Sequence, residues 1–95
     1  MTAAHAAALS HLQALRSACN AALRQLSLIS QNGTTKEWME YRRTTTTPAC
    51  EAVNAEEQRI IAAGFGGDID FEIAVLGHMQ RRHSDPVRVT YSDLR

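Results

Sequence analysis

The sequence predicts a small, mainly α-helical domain. Three observations carry that expectation: a 3–4 apolar rhythm through the first third of the chain, a capping box at Thr34–Glu37, and Gly and Pro gathered at the joins between periodic segments. Ninety-five residues suffice for one domain, taken as 1–95.

The first helix is expected over about residues 3–31. Leu12, Leu15, Cys19, Ala22, Leu26 and Ile29 recur at alternating spacings of three and four, and Leu9 and Leu23 widen the stripe. Alanines fill much of the remaining surface and favour helix intrinsically. Asn32-Gly33 then reads as a left-handed stop. A straight helix of that length spans ~42 Å, whereas a compact chain of this size has a radius of gyration near ~12 Å. A second copy or a partner is therefore expected along the overhang. The seam Leu12, Leu15, Cys19, Leu26 and Ile29 is assigned to that contact as well as to the chain's own core.

Thr34 with Glu37 three residues on opens a short helix over 35–43. Thr44 to Thr47 are poor helix formers and Pro48 disfavours helix at Thr47, so a break is expected, with Thr47 capping a third helix over 48–63. One Pro-kinked helix over 35–63 is the alternative. Gly64 ends it, and Gly64-Phe65-Gly66-Gly67 reads as a hinge, because no strand precedes it and no lysine follows.

The next segment supports two readings. Ile69, Ile73, Leu76 and Met79–Gln80 fit a helix over 69–83 with Asp68 as its cap and acids on the first turn. Ile69, Phe71, Ile73 and Val75 also alternate as a strand would, giving an α+β alternative with a hairpin of 68–76 and 86–91. Helix is preferred, because no turn signal but one Gly interrupts the apolar run. Ser84-Asp85-Pro86 then leads into an extended tail.

Composition narrows the function. Ten basic residues balance ten acidic ones, which argues against affinity for phosphate built on charge alone. The distribution is uneven. Residues 1–36 hold no acid, and from Thr44 onward acids outnumber bases, a basic front and acidic back suited to head-to-tail or antiparallel association. Fifteen of the 42 apolar residues are Ala, so the core is thin and benefits from a partner. No apolar run is long enough for a membrane span, and a cytoplasmic location is expected. The acid-free first segment has too few Arg, and too regular an apolar face, for a transit peptide.

Residues able to do chemistry are scattered. His5 and His11, and His78 and His83, sit at spacings of six and five, which place each pair on different faces of a helix; they read as structural histidines and not as metal ligands. Cys19 and Cys50 fall at apolar helical positions and read as small hydrophobes kept reduced. Asp68, Asp70 and Glu72 lack the spacing of a calcium loop. Val89 to Leu94 matches a tyrosine signalling pattern that recurs by chance. No catalytic constellation, cofactor or metal is expected.

Trp38, Tyr41, Arg42 and Arg43 cluster on the short second helix, and aromatic and Arg side chains most often anchor interfaces. Trp38 as a core plug is the competing reading. The chain is expected to be a non-enzymatic protein-interaction module: an adaptor, assembly factor or small inhibitor, such as phage and bacterial accessory proteins supply. It self-associates through the first helix and takes a larger protein as partner. The alternative is a nucleotide or nucleic-acid binder using Arg42, Arg43 and the threonine run, with Arg81, Arg82 and Arg88 as a second basic patch.

Overall fold

The computed structural model describes residues 1–83, and all of the regular structure there is helical. Helix α1 spans Ala3–Asn32, α2 Thr35–Tyr41, α3 Thr47–Ala63 and α4 Ile69–His83, with a π-helical turn over Arg42–Thr46 joining α2 to α3. The helical reading of 69–83 holds, and the first strand of the alternative hairpin is replaced by α4. The tail, the second hairpin strand at 86–91, Arg88 and the tyrosine pattern lie outside the described residues.

Helices α1, α2 and α4 each start where the sequence supplies a cap. The Thr2 hydroxyl accepts from the His5 N–H at 3.0 Å and opens α1. At α2 the capping box is complete: Thr34 Oγ1 accepts from the Glu37 N–H, and Glu37 Oε1 accepts from the Thr34 N–H at 3.1 Å. The end of α1 corrects one expectation. Gly33 is extended (φ −108°), not left-handed, and its N–H donates to Ile29 O. A Cβ there would lie 3.0 Å from the Ile29 carbonyl oxygen, a crowded contact that glycine avoids. At the end of α3 the left-handed conformation does occur, with Gly64 at φ 82°.

The threonine run does not break the chain. Thr47 is helical, not a cap, and its N–H reaches back to Arg42 O, the spacing of a π turn. The physical reason is Pro48, which has no N–H to donate and whose ring crowds the preceding turn of an α-helix. Widening one turn accommodates it and keeps the backbone helical from Thr35 to Ala63, so the alternative of one continuous helix describes this stretch. Thr44 Oγ1 donates to Glu40 O at 2.8 Å, and the fully buried Thr46 donates its hydroxyl to Ala22 O across the helix pair at 3.5 Å.

The core runs along α1. Leu12, Cys19 and Leu23 meet Val53 and Ile60 of α3 and Phe71 and Val75 of α4, with Leu9, Leu15, Cys50, Phe65 and Met79 at its margin. Because α4 is half as long as α1, it covers only the N-terminal half. Among the described residues the molecule is three helices thick at that end and two helices thick at the other, where α1 pairs with α2 and the π turn. The result is a rod of 49 × 21 × 18 Å with a radius of gyration of 15.1 Å, well above the ~12 Å of a compact chain.

Leu12 and Leu26 have no exposed surface. Truncating one such residue costs about 2–5 kcal/mol, against a whole-domain stability of about 5–15 kcal/mol. Leu12→Ala combined with Leu26→Ala is therefore expected to abolish the cooperative thermal transition followed by circular dichroism. Gln13→Ala and Arg24→Ala, on the exposed side of α1, are expected to change stability by less than about 0.5 kcal/mol.

Candidate protein-interaction site

The sequence assigned two sets of residues to binding, and the fold treats them differently. Leu12, Cys19 and Leu26 of the seam are buried inside the chain itself, so they present no surface to a second copy. Leu15 and Ile29 are half-buried. Ile29 joins the second set, because it lies where α1 runs out beside α2.

There the two-helix end opens into a groove of about 970 Å³. Its apolar lining is Ile29, Trp38 and Met39, and Arg42, Arg43 and Glu40 stand at its edge. The capping box fixes the first turn of α2, and an i, i+4 spacing then lays the Arg42 guanidinium 5.5 Å from the centre of the Trp38 ring. Trp38 is half-buried and outside the core cluster, so it is a wall of the groove and not the core plug. Its indole Nε1–H is shielded from solvent and has no hydrogen-bond partner among the described residues. Leaving such a donor unsatisfied costs on the order of 1–3 kcal/mol. Tyr41 is half-buried and does not line the groove, whereas Met39, 59 % exposed, does and was not singled out by the sequence.

A second surface lies on α4, toward the other end of the rod. Ile69, Ile73 and Leu76, the stripe that argued for a helix, face solvent at 68, 64 and 50 % exposure. The buried face of α4 is instead Phe71, Val75 and His78. The exposed stripe is flanked by the exposed carboxylates Asp70 and Glu72.

What sets this rotation of α4 is a clamp centred on Asp68. Its Oδ1 accepts from the Phe71 N–H at 3.2 Å as the helix cap. Oδ2 accepts from the Thr2 N–H at 3.0 Å and meets His5 Nδ1 at 2.8 Å. The His5 ring lies flat on Phe71, centroids 4.2 Å apart. One carboxylate thus fastens the start of α1 to the start of α4, and His5 belongs to it. The sequence supplied the cap and not the cross-link, because His5 and Asp68 are 63 residues apart. A buried pair completes the contact of α4 with α3: His78 Nδ1 stands 3.7 Å from Glu57 Oε2, each residue 1 % exposed. Neither had been recognised as part of an interior pair.

Among the described residues, no helix is long and apolar enough to cross a membrane. Nor do three or more His, Cys, Asp or Glu side chains converge where a metal ion could be held. Comparison of the chain with protein-family models, curated proteins and solved structures finds no match.

The hydrogen bond from His5, with those from the Thr2 and Phe71 N–H groups, holds the Asp68 carboxyl down to about 2 from its ordinary 3.8. A carboxyl whose folded pKa is depressed contributes stability in full above its unfolded pKa, and that contribution is lost as pH falls toward the folded value. Melting temperature is therefore expected to fall between about pH 4 and pH 2 through this group. The gap between the natural chain and Asp68→Asn should be widest above pH 5 and close toward pH 2. A gap independent of pH over that window would show that the carboxylate charge does not hold α4.

Proposed function

We propose that the chain is a non-enzymatic protein-interaction module that self-associates, the groove of one copy receiving the outer face of α4 from another. The observation that carries this reading is that one molecule bears both halves of such a contact. The groove offers Ile29, Trp38 and Met39 to apolar side chains, with Arg42 and Arg43 beside them. The α4 face offers Ile69, Ile73 and Leu76, with Asp70 and Glu72 beside them. Covering three large apolar side chains removes area worth, at full burial, about 1.5–3 kcal/mol each. The carboxylates beside the α4 face would also stand opposite the Arg42 and Arg43 guanidinium groups at the groove. A larger protein that presents an amphipathic helix of the same apolar and acidic pattern would be accepted in place of the second copy.

Measuring mass by light scattering across the micromolar range tests this. The natural chain is expected to exceed its monomer mass of 10.5 kDa as concentration rises. Ile73→Asp and Trp38→Ala are each expected to stay monomeric while keeping their helical circular dichroism. An equimolar mixture of the two is expected to form a one-to-one complex, since one variant keeps an intact groove and the other an intact α4 face. A mixture that stays monomeric, or a natural chain that never leaves 10.5 kDa, overturns the proposal. Binding to a generic DNA duplex that weakens steeply with salt and is indifferent to Ile73→Asp would favour the nucleic-acid reading of Arg42 and Arg43 instead.

A further inference from the structure

We infer that Cys19 and Cys50 together are an oxidation site, at which hydrogen peroxide converts the two thiols into an intramolecular disulfide stapling α1 to α3. This inference is independent of the groove. The two residues are 31 positions apart and read separately as small hydrophobes, but the helix pair brings their Sγ atoms to 2.7 Å. A disulfide needs its sulfurs at about 2.05 Å and its two backbones already within reach. The sulfurs are already in contact before any reaction, on two helices held together by the core around Leu12, Leu23 and Val53.

The surroundings assign the order of events. Cys19 is buried, and Cys50, at the margin of the core, is half-buried. Cys50 is therefore the sulfur an oxidant reaches first. As its thiolate, Cys50 attacks one peroxide oxygen; the O–O bond breaks, leaving a sulfenic acid on Cys50 and releasing one water. The Cys19 sulfur then attacks Cys50 Sγ, the S–O bond breaks, and a second water leaves. Two thiols and one hydrogen peroxide become one disulfide and two waters, the electron pair passing from the sulfurs to the O–O bond.

The position gives the bond a consequence. It closes a loop that holds the C-terminal half of α1, all of α2 and the π turn, which is the whole two-helix end of the rod. A cross-link of that span restricts the unfolded chain more than the folded one.

The experiment treats the reduced full chain with hydrogen peroxide, alkylates it and digests it with trypsin without reductant. Expected are a loss of ~2 Da in intact mass and a covalent link between the tryptic peptides 17–24 and 44–59. A rise of ~10 °C in melting temperature should accompany them, and a dithiol reductant should reverse all three. Cys19→Ser should form no link and leave a sulfenic acid on Cys50 that a 1,3-diketone traps. If that variant fails to fold, Cys50→Ser should leave Cys19 unoxidised under the same treatment. Recovery of both peptides alkylated and unlinked overturns the inference. So does a link found only between chains, or oxidation of Cys50 to sulfinic acid while Cys19 stays a thiol.

Discussion

The length of α1 is the constraint on which the rest of the structure depends. Thirty residues of uninterrupted helix extend for ~45 Å, and the long dimension of the molecule, 49 Å, is little more than that. Every other element is laid against this rod. The α2–π–α3 stretch returns along its whole length, and α4, as far as it is described, lies along only half of it. Among the described residues, the thinner two-helix end and the groove that opens there are the same end, the one α4 does not reach. The alanines of α1 lie mostly on its exposed side, while Ala22 and Cys19 are small buried residues at the contact with the returning helix, where Cys19 meets Cys50.

The separation along the rod is also electrostatic. Asp68, Asp70 and Glu72 stand at the end where α1 begins, and Arg42 and Arg43 at the end where it finishes. The acid-free stretch 1–36 runs the whole length of the rod as α1, so this lengthwise separation comes from the π turn and α4 rather than from the basic front of the sequence. Two copies aligned in parallel would set like charges side by side, whereas antiparallel or end-shifted copies would set opposite charges together.

Local signals in the sequence were legible, and those that need a distant partner were not. The stripe on α1, the capping box at Thr34 and Glu37, and the Asp68 cap all concern residues within a turn or two of each other, and all occur as expected. The π turn was missed because a threonine run before a proline favours a break by propensity, yet Thr46 gains a buried site against Ala22 that rewards continuing the helix. The rotation of α4 was hidden for a similar reason. Its residues carry two apolar stripes, and the choice of Phe71 and Val75 as the buried one is made by His5 and Glu57 on other helices. Of the groove, Trp38, Arg42 and Arg43 were identifiable from residue type, but the concavity itself comes from how the end of α1 meets α2 and the π turn in space. Periodicity could not foresee the Cys19–Cys50 contact, which depends on the register of two helices.

The π turn has a consequence for that register. A π turn is an α-helix carrying one residue more than its hydrogen bonding requires, and each residue turns an α-helix by roughly 100°. Arg42–Thr46 therefore works as a phase shifter between two surfaces on one continuous helix. Upstream, Trp38 and Arg42 look into the groove; downstream, Val53, Glu57 and Ile60 look into the core. Were the turn to relax to ordinary α-helical pitch, α3 could keep its place against α1 only by swinging Trp38 out of the groove wall. The placing of the groove wall is in this sense geared to the winding of a few threonines.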